Sequence, residues 1–235
     1  MRTRFLLLIF LLPLFAKAQD SEFRWGQFGL NGGIANARGD FHTEYSNPMI
    51  TGSLDIFFGF PDINSLAGLQ IRSVGLGTEH KSIDDTTYVG NGLYALGLDS
   101  EAKTSINVLH LGSRFIPWKE AIVSPYIDLS GGIQLVDYQT SIRAEFKNGW
   151  EDISDNEESK VAMSYGLGLG LFYRINKNFL IDVRAQYYGS TRVRYPVMDD
   201  LSFDSDGQPY VKTNKSTTDM LIFSVGVVLY ELNYG

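Results

Sequence analysis

The sequence contains no cysteine, which excludes a disulfide framework and thiolate metal sites. Histidine is scarce: His42, His80 and His110 are the side chains that could supply an imidazole. Beyond its N-terminal segment the chain has no long unbroken apolar run, so no transmembrane helix is expected in the mature protein. These absences leave a chain whose function has to be sought in strands, turns and loops.

The apolar run that does exist lies at the N-terminus and has the features of a secretory signal. Arg2 and Arg4 precede an apolar segment over residues 5–15, and Ala16-Lys17-Ala18 forms an A-x-A cleavage pattern. The run is too short for a membrane anchor. The sequence therefore predicts a signal peptide over residues 1–18 and one mature domain over residues 19–235.

The mature chain is strongly acidic. Three of the 20 basic residues lie in the signal segment, so 17 remain against 27 acidic residues, a charge of −10. Nucleic-acid-binding domains usually carry a basic surface. The balance therefore argues against a nucleic acid partner.

The most informative stretch is residues 161–188, which alternates with a period of two. From Val161 to Ile175 the odd positions are large and mostly apolar, while the even positions are mainly small or polar. The chain turns at Asn176-Lys177-Asn178, and residues 179–188 alternate again. Such alternation predicts strands with one apolar face, and both are long enough to cross a membrane at a tilt.

Similar alternation elsewhere predicts eight strands in all. Their predicted bounds are 25–37, 50–60, 66–78, 104–116, 125–138, 161–175, 179–188 and 218–232. The connections after strands 1, 3, 5 and 7 are long or polar, and those after strands 2, 4 and 6 are short. This pattern is typical of an all-β, antiparallel up-and-down transmembrane barrel with periplasmic termini. Loops 79–103, 139–160 and 192–217 are then expected to face outward from the cell, so the sequence predicts the outer membrane of a two-membrane bacterium.

Three segments resemble a known group of barrels: Phe28-Gly29-Leu30-Asn31-Gly32-Gly33, Ile106-Asn107-Val108-Leu109-His110-Leu111 and Ser124-Pro125-Tyr126-Ile127-Asp128-Leu129-Ser130-Gly131-Gly132. They are similar to the Bacteroidota-type outer-membrane β-barrel domain of the PorT-like group, whose architecture resembles the OmpX and OmpA barrels. The resemblance implies a non-enzymatic barrel involved in membrane structure, adhesion or secretion. It also implies an extracellular or secretion-system protein as partner.

Seven charged residues fall on the predicted inner face of this barrel. They are Asp55, Arg72, Arg114, Asp128, Arg174, Asp182 and Arg184. Such a set could form a selectivity filter, or a network of ion pairs that satisfies buried charge. Because side chains fill the interior of an eight-stranded barrel, the structural network is favoured, in a monomer without a wide pore.

An outer-membrane enzyme that modifies lipids is the alternative function. An acyl hydrolase or acyltransferase would need a serine within hydrogen-bond reach of a histidine. His110 and Ser113 lie three positions apart on a strand and face opposite sides. No catalytic residue is therefore predicted, and mass analysis of lipid A with and without the gene would distinguish the two functions.

Two short motifs suggest ligands but are incomplete. Gly166-Leu167-Gly168-Leu169-Gly170 lacks the spacing of a nucleotide-binding loop, and Asp204-Ser205-Asp206-Gly207 lacks the later ligands of a calcium loop. No cofactor or metal site is predicted from them. The acidic loops are either simply solvated or bridged weakly by divalent cations to lipopolysaccharide phosphates. Outer-membrane lipid and lipopolysaccharide are the expected partners of the barrel.

Two further interpretations concern surfaces. Tyr88 and Trp150 fall in predicted loops, where exposed aromatic side chains would suit a protein or glycan partner. A soluble, lipocalin-like cup would reverse the two faces of the barrel and place Leu167, Leu169 and Leu171 inside. That arrangement is disfavoured because glycine, aspartate and arginine would then dominate the outer surface.

Overall fold

A computed structural model of the chain describes residues 25–59, 64–83, 87–88, 94–205 and 209–232. The predicted signal peptide and its cleavage site before Gln19 lie outside these residues. Within them, no helix has the length and apolar character needed to cross a membrane.

The described chain is almost entirely β-strand. One short helix, α1 (Asp40–Glu44), follows the first strand. The strands are β1 (Trp25–Ala37), β2 (Met49–Gly59), β3 (Ser65–Ile83), β4 (Thr87–Tyr88), β5 (Tyr94–Ala95), β6 (Gly97–Phe115), β7 (Val123–Phe146), β8 (Gly149–Arg174), β9 (Phe179–Ser190), β10 (Val193–Phe203), β11 (Pro209–Ser216) and β12 (Met220–Leu232).

Eight of these strands form a closed barrel in the order β1-β12-β9-β8-β7-β6-β3-β2. Every pairing is antiparallel, and β1 closes the ring by pairing with both β2 and β12. The remaining strands form two separate hairpins, β4-β5 and β10-β11, in the connections at one end of the barrel. The predicted eight-stranded antiparallel barrel is confirmed.

The two faces of β8 are as different as the alternation predicts. Leu167, Leu169 and Leu171 point outward and are half-exposed or more, so a lipocalin-like arrangement with these leucines inside is wrong. The inner face carries glycines because large neighbouring side chains lie over them. A Cβ added at Gly168 would lie 2.7 Å from Cγ of Gln186, and one at Gly170 would meet the Tyr126 ring.

A continuous apolar band surrounds the barrel on its outer face. It includes side chains from every barrel strand that are 37–79% exposed: Phe28, Leu30, Ile34, Ile50, Phe58, Ile71, Leu109, Leu111, Phe115, Ile127, Leu129, Ile133, Leu135, Val161, Met163, Val183, Phe223, Val225, Val227 and Leu229. In water such a surface would be unfavourable, whereas in hydrocarbon it matches the solvent.

The predicted long loops are largely wrong, because much of 79–103 and 139–160 is strand. β3 and β6 remain paired as far as Ile83 and Leu98, and β7 and β8 as far as Phe146 and Gly149. The four strands form a sheet that projects past the apolar band, and we call it the projecting sheet. Its outward side chains are polar because they do not face lipid, so the apolar alternation that marks a strand disappears.

The third predicted loop, 192–217, contains the β10-β11 hairpin. Val211 of this hairpin packs with Leu98, Ile142 and Ala144 of the projecting sheet. The register of the β3-β6 pairing shifts between Gly75 and Gly77. Gly77 has a φ of 96°, a conformation that favours glycine.

Candidate functional site: the barrel lumen

Six of the seven charged residues expected on the inner face lie buried in the lumen. They are Asp55, Arg72, Arg114, Asp128, Asp182 and Arg184, each at most 3% exposed. Arg174 is the exception, because it lies at the end of β8 beside the short β6-β7 connection. Its guanidinium donates to the carbonyl oxygen of Lys119 at 2.5 Å and takes no part in the cluster of six.

Arg114 lies at the centre of the charged layer. Its Nε and Nη2 atoms donate to the two carboxylate oxygens of Asp128 at 2.7 and 2.9 Å, the bidentate geometry that makes such pairs strong. The rings of Phe57 and Tyr126 lie 4.4 Å from the guanidinium carbon, and Asp55 approaches Nη2 at 3.8 Å. The guanidinium is therefore held by both charge and aromatic faces.

Arg184 links the other two carboxylates. Its Nη1 lies 2.5 Å from Asp55, and its Nε lies 3.6 Å from Asp182. The Tyr126 hydroxyl donates to Asp182 at 2.5 Å. Asp55 also accepts a hydrogen bond from the Asn31 amide at 3.3 Å. The carboxylates and guanidiniums thus form one connected network.

A second polar layer lies nearer the end of the barrel with the long connections. Arg72 donates to Gln186 at 2.6 Å and stacks over the Tyr188 ring at 5.2 Å. His110 lies between two serine hydroxyls, with Nδ1 3.0 Å from Ser130 and Nε2 2.5 Å from Ser164. These contacts link β3 to β9, and β6 to β7 and β8, through the interior.

Apolar layers close the lumen on both sides of the polar residues. Towards the short connections the layer consists of Phe57, Leu66, Ile116, Tyr126, Phe172, Leu180 and Val228. Towards the long connections it includes Ala35, Met49, Val74, Ile106, Val108, Val136, Tyr188, Met220 and Ile222. α1 and β10 extend this second layer, where Phe41, Tyr45 and Tyr195 pack with ring centroids 4.8–5.9 Å apart.

The charges inside the lumen balance. Among the described residues, the buried charged side chains other than histidine are three aspartates and three arginines. A selectivity filter would need an excess of one sign along an open path. The buried lumen instead contains equal numbers of both signs between two apolar layers.

The contacts of His110 bear on the enzyme alternative. The structure brings Ser130 and Ser164, rather than Ser113, to the imidazole, and sequence reasoning missed both because they come from other strands. Both nitrogens are occupied by hydroxyls, so no carboxylate orients the ring as in a catalytic triad. His110 is fully buried between the two apolar layers, so its imidazole is not accessible from the outer surface in this structure.

The candidate sites outside the lumen provide little evidence of a binding site. Trp150 is 52% exposed at the tip of the β7-β8 hairpin, whereas the Tyr88 side chain lies outside the described residues. Asp204 is described, but Asp206 and Gly207 of the calcium-like segment are not. Among described residues, no group of three or more His, Asp or Glu side chains could hold a metal ion.

Residues 5–228 match the outer membrane protein β-barrel domain family, which is most of the chain. The chain belongs to this family. The match agrees with the closed barrel and apolar band, and it places the protein in the outer membrane. No curated protein matches the chain at significant similarity.

Several solved structures of other outer-membrane proteins are similar to this chain. Neisserial surface protein A is 12% identical, with a TM-score of 0.40, over 89% of this chain and 97% of that one. Ail, the attachment invasion locus protein of Yersinia pestis, is 14% identical, with a TM-score of 0.42, over 89% of this chain and 100% of Ail. A major outer membrane protein of Thermus thermophilus is 12% identical, with a TM-score of 0.43, over 88% of this chain and 99% of that protein.

Proposed function

We propose that this barrel is a non-enzymatic surface protein whose closed lumen anchors a projecting sheet outside the cell. Both termini then lie in the periplasm, at the end with the short connections. The observation that carries the proposal is the contrast between the two ends: one has short turns, and the other has a sheet with hairpins packed on it. Outer-membrane barrels typically have short periplasmic turns and longer extracellular segments.

The size of the projection supports a role in contacts beyond the membrane. Residues 137–146 of β7 continue past the apolar band, and at roughly 3.3 Å per residue they extend about 30 Å along the strand. The polar row Asn107, Asp137 and Ser159 marks the start of this region, with the Asn107 amide 2.9 Å from the Asp137 carboxylate. Adhesion through the sheet is therefore favoured over a purely structural role.

The partners follow from these surfaces. The apolar band would contact outer-membrane lipid, and the residues just above it would lie beside lipopolysaccharide. A protein partner would meet the projecting sheet, either an extracellular protein or, as the PorT-like resemblance implies, a component of a secretion system. The acidic charge disfavours nucleic acid. The closed barrel needs no second copy to complete it, so we propose a monomer.

The closed lumen gives the first test. The purified protein in planar bilayers should show no large, stable conductance, because two apolar layers block the path on either side of the charged network. The matched variants are Tyr45→Ala, which trims the layer at the long connections, and Trp118→Ala, which changes an exposed residue outside the lumen. Neither should conduct, since the second layer remains. A stable open channel in the unmodified protein would refute the closed anchor.

A further inference from the structure

The projecting sheet has a free edge along β8. Pairing between β8 and β9 begins at Ser164 and Ser190, whereas β7 pairs with β8 as far as Gly149. Residues 154–162 therefore have a neighbour on the β7 side. On the other side, in the part of the chain that the structure describes, they make no backbone hydrogen bond. A register shift at Ile153 separates this segment from the tip of the hairpin.

The backbone geometry identifies which groups face the free side. Thr191 N donates to Met163 O at 2.8 Å, and Met163 N donates to the Thr191 hydroxyl at 3.1 Å. The backbone of Met163 therefore points away from β7. Because these directions alternate along a strand, residues 155, 157, 159 and 161 also present their N–H and C=O groups to the free side.

Two of these residues are acidic and have no basic side chain paired with them. Asp155 and Glu157 are exposed on the outer face, where their β7 neighbours are the neutral Ser141 and Gln139. Within the described residues, neither carboxylate takes part in an ion pair or a side-chain hydrogen bond. Both stand beside backbone groups that are also unpaired.

Several other carboxylates of the projecting sheet have a cation or hydrogen-bond donor beside them. Glu101 lies 3.1 Å from Lys103, and Asp152 lies 3.0 Å from Arg143. Hydrogen bonds from Lys160, Tyr138 and Asn156 lower the pKa of Glu158, on the opposite face of β8, to about 2. Asp155 and Glu157 thus place two unpaired negative charges at the edge where a further strand could pair.

We propose that residues 154–160 of β8 bind an extended, basic segment of another polypeptide by strand addition. The proposal rests on the proposed function, because a partner can reach this edge when the sheet faces outside the cell. Backbone hydrogen bonds would hold the added strand, and lysine or arginine side chains opposite Asp155 and Glu157 would select it. A second copy is disfavoured because two β8 edges would bring acidic strands together. The edge of β3 beyond Gly75, where pairing with β2 has ended, carries Lys81 as well as Glu79 and so suits a basic strand less well.

The test uses the purified full chain, folded in detergent, and a labelled nine-residue peptide of alternating lysine and threonine. In an antiparallel added strand, lysines opposite Asp155 and Glu157 would direct their N–H groups at β8, whereas the threonine N–H groups would point away. N-methylation of the lysine amides should therefore weaken binding about tenfold or more, since each methylated amide loses a backbone hydrogen bond to β8. N-methylation of the threonine amides should leave the affinity unchanged.

Substitutions in the protein test the same backbone contact from the β8 side. Glu157→Pro removes a free-side N–H and a carboxylate without removing a bond to β7, so binding should fall about tenfold or more. Glu157→Gln should weaken binding less, and Glu101→Gln, on a strand paired on both sides, should not weaken it. Heat-dependent gel mobility confirms that each variant is folded. Equal binding by both methylated peptides, or full binding by folded Glu157→Pro, would overturn the proposal without bearing on conductance or location.

Discussion

Replacing Arg114 with methionine should lower the free energy of unfolding by about 3–5 kcal/mol, because the change leaves buried carboxylates without their main partner. Arg114 makes both short contacts to Asp128 and lies between the rings of Phe57 and Tyr126. After its removal, the nearest remaining cation to Asp128 is Arg184 at 4.0 Å. Urea titration of protein folded into lipid vesicles measures the change.

Two controls make this result specific. Arg143→Met removes an arginine from an exposed pair, whose side chains are 53% and 75% exposed, and should cost less than about 1 kcal/mol. The double variant Arg114→Met with Asp128→Leu should be less destabilised than Arg114→Met alone, because no orphaned carboxylate remains at position 128. If Arg114→Met cost no more than Arg143→Met, the network would not be holding the lumen together.

Leu169→Arg should destabilise the protein by about 2–4 kcal/mol, the cost of placing a charge near the middle of the lipid-facing wall. Leu169 lies between Ile127 and Ala185 on the outer face and is 62% exposed. Leu169→Ala should cost less, because lipid fills part of the space that the side chain vacates. The same titration in vesicles ranks the variants.

The control for Leu169→Arg is the same substitution outside the apolar band. Ser141 is on the outer face of β7, paired with Glu101 and Asp155 on the neighbouring strands. Ser141→Arg should change stability by no more than about 0.5 kcal/mol, as is usual for surface positions. Equal costs at positions 141 and 169 would mean that the band does not face lipid.

The barrel wall was predictable because its two sides face different surroundings. Lipid requires apolar side chains outside, and the narrow lumen requires small or polar ones inside, so residues 161–175 carry a period of two. The same physics predicted that Asp55 and Arg184 point inward. Arg174 follows the same alternation but lies at the strand end, where a backbone carbonyl of the turn is the nearer partner.

The projecting sheet was not predictable in this way, because both of its faces are free of lipid. Residues 139–160 form strands although they read as a polar loop, since backbone pairing continues from the barrel without needing apolar side chains. Sequence reasoning also could not give the register between strands. That register brings Ser130 and Ser164 to His110 and leaves the edge of β8 unpaired.

The most direct test of an outward-facing sheet is labelling of single cysteines on intact cells, which is clean because the chain has none of its own. Thr213→Cys lies exposed in the β10-β11 hairpin, and Lys177→Cys lies exposed in the short β8-β9 turn at the opposite end. A membrane-impermeant maleimide should label position 213 on intact cells, and position 177 after the outer membrane is permeabilised. Labelling of position 177 and not of position 213 on intact cells would contradict this orientation.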